Sequence, residues 1–193
     1  ENGRRIGYNT DGIGYMRSVK EAGCEIIGKE MTLLGAGGAA CAIAAQAAID
    51  GISHLHLVSR RGRSWEKARK LTDQINANTS CRAELIDLAD SSALRAAISS
   101  STLLTNATSV GMVRDTGETL ITDLSMYHEG LYVSDIIYHP RETRLLREAR
   151  DHGCFTFNGM FMLLHQGSAA FRIWTGMEMP IELIRKRYFT QTD

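Results

Sequence analysis

Short apolar runs alternate with stretches of helical periodicity from residue 31 to residue 157. The runs predict strands over 31–34, 54–58, 82–87, 102–105, 132–136 and 154–157. Between them lie helices. The first, over 39–50, is rich in Ala and Ile and stops at Gly51. The second runs to about residue 78, with Ser64 as its cap and Glu66 in its first turn. A short third helix over 91–98 is capped by Asp90 or Ser91, and a fourth over 142–152 is ended by Gly153. Residues 106–130 read as a loop. The flanks are helical: 11–22 ending at Gly23, then 159–174, then 181–189 with Pro180 near its start. Six strands with intervening helices predict an α/β fold, a Rossmann doubly wound parallel sheet of six strands with flanking C-terminal helices.

Chemistry enters at the end of the first strand. Leu33-Leu34-Gly35-Ala36-Gly37-Gly38-Ala39-Ala40 fits the G-x-G-x-x-G/A turn of dinucleotide-binding units. Gly35 permits the tight turn, Gly37 lets the backbone approach a pyrophosphate, and Ala40 keeps helix and strand close. The amides that open the helix, from Gly38 and Ala39, then face a phosphate with the helix dipole behind them. A second strand follows within the spacing the motif demands. That strand ends Val58-Ser59-Arg60-Arg61-Gly62-Arg63. An NAD site usually has an acid there for the ribose hydroxyl. Here Arg60, Arg61 and Arg63, with Ser59 as a hydrogen-bond donor, suit a 2′-phosphate instead. NADP is therefore expected, with NAD use open.

Charge and composition exclude several classes. Lys plus Arg and Asp plus Glu are 22 each, which gives no reason to expect nucleic acid or an anionic membrane as a partner. No apolar run approaches the roughly 20 residues that span a bilayer. Cys24, Cys41, Cys81 and Cys154 form no close pair and read as reduced thiols of a cytoplasmic protein. His54 and His56 alternate on a strand and His165 sits on a helix, and no His, Cys or carboxylate grouping along the chain has metal-ligand spacing. No metal is expected. The opening stretch Glu1-Asn2-Gly3-Arg4-Arg5 is polar and lacks Met, which suggests a piece of a longer protein.

Three further segments point to a family. They are Gly7-Tyr8-Asn9-Thr10-Asp11-Gly12-Ile13-Gly14, then Asn106-Ala107-Thr108-Ser109-Val110-Gly111-Met112 with Asp135-Ile136-Ile137-Tyr138-His139-Pro140, and Gly159-Met160-Phe161-Met162-Leu163-Leu164-His165-Gln166-Gly167 with Trp174-Thr175-Gly176. With the glycine turn, in this order, the chain strongly resembles shikimate dehydrogenases, including the quinate/shikimate branch. The resemblance runs from about Ile6 to the C-terminus. It implies two domains, with residues 1–24 as the interdomain helix and end of a substrate domain and 25–193 as the nucleotide domain with its C-terminal helices. The rest of the substrate domain, with a serine pair, an asparagine and a catalytic lysine, is expected to lie outside these residues.

The resemblance also implies roles. Asp11 matches the aspartate that partners the lysine and is the expected catalytic residue. Asp11, Tyr138 and Gln166 match substrate-binding positions. Asn106, Thr108 and Ser109 match the loop under the cofactor, and Ile136, Gly159 and Met162 match positions near the nicotinamide. The basic cluster departs from the family's Asn-Arg-Thr segment, because Ser59 and Arg61 replace its first and third members. The branch that accepts NAD can carry an acid where this chain has Gly62. The implied partners are shikimate and 3-dehydroshikimate, with quinate as an alternative, on a monomer or homodimer. Two rivals remain: a non-catalytic nucleotide-binding module, and another Rossmann reductase such as a methylene-tetrahydrofolate dehydrogenase or glutamyl-tRNA reductase relative. Asp11, Tyr138 and Gln166 together argue against the second.

Overall fold

The computed structural model describes residues 3, 5–112 and 116–189, so Glu1, Asn2 and Arg4 of the opening stretch and part of the 106–130 loop lie outside the described residues. The element order is α1 (Asp11–Glu21), β1 (Glu30–Leu34), α2 (Gly38–Asp50), β2 (His54–Ser59), α3 (Trp65–Asn78), β3 (Arg82–Asp87), α4 (Ser91–Ser100), β4 (Leu103–Asn106), β5 (Tyr132–Asp135), α5 (Arg144–Asp151), β6 (Phe155–Phe157), α6 (Met160–Thr175) and α7 (Ile181–Tyr188). All pairings are parallel, in the order β3-β2-β1-β4-β5-β6. This is the doubly wound arrangement expected from sequence. Its strand order reverses between β1 and β4, which opens a crevice at the carboxyl ends of those strands.

The strands are near-continuous apolar runs because helices cover both faces of a parallel sheet. Met31, Leu33, Leu55, Leu57 and Leu103 face α1, α2, α3 and α6. Leu34, Val58, Leu104 and Val133 face α4 and α5. Burial of each such side chain stabilises by roughly 1.5–3 kcal/mol. The Ala-rich face of α2 (Ala40, Ala44, Ala47) lets that helix lie close to the sheet.

The helix caps separate three readings. Asp90, not Ser91, caps α4 by accepting from Ala93 N, and Thr143 caps α5, so α5 starts two residues later than the periodicity suggests. Ser64 does not cap α3. Its backbone is already in the right-handed helical region, at φ −92° and ψ −9°, whereas a capping hydroxyl needs extended geometry to reach back. Within the expected loop, Asp123 accepts from Ser125 N and winds residues 124–126 into a 3₁₀ turn.

Helix α1 is fastened by two close crossings. A Cβ on Gly12 would strike the backbone of Ala42 in α2. A Cβ on Gly14 would lie 2.6 Å from Gln166 N in α6. Tyr15, 1% exposed, places its hydroxyl 2.7 Å from Ser134 Oγ under the sheet, and burial pushes that phenol well above its ordinary range. Glu21 then binds His165 Nε2 at 2.7 Å and Arg185 Nη1 at 2.5 Å, joining α1, α6 and α7.

Candidate nucleotide and substrate site

The cleft is built on the turn from β1 into α2. Gly35 sits at φ +114°, a left-handed conformation that L side chains rarely adopt. A Cβ there would also lie 2.9 Å from Ala107 O, because the loop after β4 passes directly beneath. Gly37 and Gly38 are the opposite case: a Cβ on either would meet nothing within 4 Å. The open space lies in front of the first turn of α2, whose N-cap Gly37 has no side chain to satisfy its amides. Free amides at a helix N-terminus, with room before them, fit a phosphate.

Two joined cavities run along this edge. One, about 410 Å³, is lined by Gly35, Ala36, Ser59, Arg60, Arg61 and Arg63 among others. The other, about 900 Å³, continues past Gly37 and Ala39 to Thr108, Ser109, Ile136 and Tyr138. With Gly35, Ala36, Arg60 and Ser109 lining both, a groove thus leads from the arginines, over the glycine turn, to the ends of β4 and β5.

The arginines are not equivalent. Arg60 lines both cavities, and neither Arg60 nor Arg63 makes an ion pair among the described residues. Arg61 is engaged: its Nε lies 2.6 Å from Asp87 Oδ2 and its guanidinium covers the Trp65 ring at 4.7 Å. Asp87 ends β3 in register with Ser59. The Ala89 N–H, then Arg61, holds its carboxyl below the usual carboxylate range. The acid that β2 lacks therefore comes from the neighbouring strand, a partner that linear reading of 58–63 does not reveal.

The loop below the cleft hangs on Asn106 and Asp135, which are both fully buried. Asn106 Oδ1 accepts from Thr108 N and Oγ1, while its Nδ2 donates to Asp135 at 3.1 Å and to Val110 O. Asp135 also accepts from Ile137 N and Thr143 Oγ1. Burial raises its carboxyl above the ordinary value, and the Ile137, Asn106 and Thr143 donors only partly offset this. Asn106 shapes the loop rather than facing the cleft; Ser109, exposed, faces it. Gly159 has a steric role, since a Cβ there would run into the carbonyl of Ile136. Met162 is 7% exposed and packs within the main core.

The substrate candidates are only partly assembled. Tyr138, 49% exposed, stands on the rim of the larger cavity. Gln166 lines a different groove with Tyr8, Thr10 and Trp174. Asp11 lies in the first turn of α1, where its own N–H donates to Asn9 Oδ1, so Asn9 serves as the local turn acceptor and Asp11 does not cap. Gly14, one turn on, presses against the backbone of Gln166, so Asp11 and Gln166 share one helix crossing.

At the opposite edge of the sheet the structure brings Glu30, His54 and His56 together. Sequence spacing predicts no metal grouping there. The cluster arises because Glu30 and His54 are neighbours in register on adjacent strands, a relation that ligand spacing along one chain cannot display. Among the described residues no helix is long and apolar enough to cross a membrane.

Comparison with known proteins agrees with this architecture. Residues 159–187 match the family model described as Shikimate 5'-dehydrogenase C-terminal domain. The shikimate dehydrogenase (NADP(+)) of Listeria monocytogenes is 47% identical over 189 residues, 98% of this chain and 65% of the relative. A quinate/shikimate dehydrogenase of Escherichia coli is 44% identical, over 96% of this chain and 65% of the relative. A crystal structure of the Listeria monocytogenes enzyme with shikimate and NAD superposes with a TM-score of 0.91 at 48% identity, covering 93% of this chain and 62% of that one. The chain thus spans about 65% of the length of these curated relatives, and over nearly all of its own length it is similar to shikimate dehydrogenases.

Proposed function

We propose that the chain is the nucleotide-binding part of an oxidoreductase that reversibly reduces 3-dehydroshikimate to shikimate with NADP(H) in the cytoplasm, as monomer or homodimer. Residues 25–193 form the nucleotide domain and residues 1–24 carry the end of the substrate domain. The observation that carries this reading is the open phosphate cradle at Gly37 and Gly38 beside an unpaired Arg60, in a chain 47% identical to an NADP(+)-dependent relative. The α2 amides and Ala39 hold the pyrophosphate. Arg60, with Arg63 and Ser59, receives the 2′-phosphate. Thr108, Ser109, Ile136 and Gly159 border the nicotinamide end, with Asn106 holding their loop in place and Met162 packing below.

A bound NADP(H) would supply the hydride chemistry. The chain's own residues orient the substrate against it. Tyr138 and Gln166 hydrogen-bond substrate hydroxyls. Asp11 orients a lysine of the preceding domain, which moves the hydroxyl proton. One observation favours a second reading, oxidation of quinate with NAD: Asp87 already occupies Arg61, which weakens the preference for a 2′-phosphate.

The test is calorimetry with each cofactor, followed by shikimate oxidation read from absorbance of the reduced cofactor. NADP should bind tighter than NAD. The chain alone should give no turnover, and the chain fused behind a relative's substrate domain should turn over readily. Equal affinities would overturn the NADP assignment. A silent fusion that still binds NADP would overturn the activity and leave a binding module.

A further inference from the structure

Four polar side chains crowd the amino-terminal edge of β1, β2 and β3, on the α4 face of the sheet and away from the cleft. The four residues from Met31 to Leu34 separate Glu30 from the glycine turn, about 16 Å of strand. The function proposed above uses none of the four. His54 and His56 lie side by side with ring centroids 4.0 Å apart. Glu30 Oε2 is 3.1 Å from His56 Nε2 and 3.8 Å from His54 Nδ1. Glu84 Oε1 is 2.7 Å from His56 Nδ1 and 3.5 Å from His54 Nε2. Each imidazole thus turns one nitrogen to Glu30 and the other to Glu84. His54 Nε2 is buried without a hydrogen-bond partner.

The geometry points to a divalent-metal site of the zinc class, ligated by Glu30 Oε2, His54 Nδ1 and His56 Nε2, with Glu84 orienting both imidazoles from behind. Bonds of about 2.0–2.1 Å at tetrahedral angles set ligand atoms roughly 3.4 Å apart. The 3.1 and 3.8 Å separations bracket that value, and Glu30, His54 and His56 each offer one ligand atom within 4.8 Å of the others. A carboxylate that accepts the far N–H fixes the tautomer and aims the near nitrogen at the ion. Glu84 stands where that partner belongs, on His56 directly and on His54 at slightly longer range.

Charge agrees. Ligation requires neutral imidazoles and ionised carboxylates, and with both rings neutral Glu30 and Glu84 would bring two negative charges, which a divalent cation balances. His56 is 5% exposed at its side chain, while Glu30 is 35% and Glu84 42% exposed, so an ion has an entry path past the carboxylates. Three protein ligands leave a fourth position, beside Ser100 Oγ, for water.

The test titrates the chelator-stripped chain with Zn²⁺ by calorimetry and with Co²⁺ by visible spectroscopy. Expected are one ion per chain, the intense visible bands of four-coordinate Co²⁺ displaced by Zn²⁺, and a melting temperature that Zn²⁺ raises and EDTA restores. His54→Gln, on the more exposed ring, should weaken Zn²⁺ binding at least 10-fold with an unchanged far-ultraviolet circular dichroism spectrum. Glu84→Gln should weaken it by about 10–100-fold, the usual cost of losing an outer carboxylate. Absence of saturable one-to-one binding would overturn the site and leave a hydrogen-bonded cluster. So would His54→Gln and Glu84→Gln binding Zn²⁺ as tightly as the parent, which would put the ion elsewhere, at a cysteine for example.

Discussion

The two edges of the parallel sheet carry polar groups arranged on opposite plans. At the carboxyl edge, backbone amides and arginines surround open space between Gly37, Arg60 and Ser109. At the amino edge, two carboxylates close around two imidazoles with little space between them. The first suits an extended anion and the second, as proposed, a compact cation. They also differ in how the chain builds them. The carboxyl edge uses one turn, so its parts are neighbours in sequence. The amino edge uses register between β1, β2 and β3, so its parts are some thirty residues apart, from Glu30 to His56 to Glu84. Loops after the strands offer unpaired backbone groups and can change shape; strand ends offer only side chains that register has already fixed.

The largest effect that separates the edges belongs to Gly37→Val. The branched side chain fills the space in front of the α2 amides, where a phosphate must lie. NADP affinity should fall by at least about 100-fold, more than 2.7 kcal/mol, while Zn²⁺ affinity and the melting temperature stay near those of the parent. Calorimetry with both ligands checks this. Retained NADP binding would move the phosphate site off the turn; a parallel loss of Zn²⁺ would show that the edges are not independent.

Next comes Arg60→Ala. Each charge-assisted bond lost to a 2′-phosphate costs about 1.5–3 kcal/mol, so NADP should weaken by roughly 10-fold or more and NAD by little. The contrast between the two cofactors is the measurement. Equal losses for both would mean that Arg60 serves the shared pyrophosphate.

Asp135→Asn acts within the carboxyl edge but below its surface. The new amide keeps one oxygen, which can still accept from Ile137 N, but it turns an NH₂ toward Asn106 Nδ2 and Thr143 Oγ1, which donate to the second carboxylate oxygen in the parent. A buried donor left without an acceptor costs about 1–3 kcal/mol. Thermal unfolding should show that loss. An unchanged melting temperature would mean that the loop after β4 is held by packing alone.

Sequence made the six strands and the glycine turn legible because periodicity and motif are local. Strand ends shifted by a residue at most, as at β4 and β5, where Asp135 takes over bonding from the ladder by accepting Ile137 N. Caps were less legible: the Ser64 side chain suits the role, but its backbone angles do not. The family resemblance sets Asn106 in the loop under the cofactor and Met162 near the nicotinamide, and the fold buries both side chains. Resemblance transmits position along the chain, and burial decides which way a side chain is used. Asp87 and the Glu30–His54–His56 cluster escaped the linear reading altogether. Each depends on which strands are neighbours, and the order β3-β2-β1 is a tertiary fact.

The smallest effect concerns that cross-strand acid. Asp87 engages Arg61 at the mouth of the smaller cavity, with Arg61 largely exposed and stacked on Trp65. An exposed pair of this kind holds its partner weakly. Asp87→Asn keeps the shape, removes the negative charge and releases Arg61 toward the groove. It also removes a carboxylate that repels a 2′-phosphate through solvent. Both changes favour NADP, by a factor of about two to five at low salt, and both fade as salt screens the charges. NAD, which lacks the phosphate, should not gain. Calorimetry with the two cofactors at low and high ionic strength reads the difference. A fall in NADP affinity would mean that the carboxylate positions Arg61 for the phosphate instead of occupying it, and the acid borrowed from β3 would then belong to the nucleotide site itself.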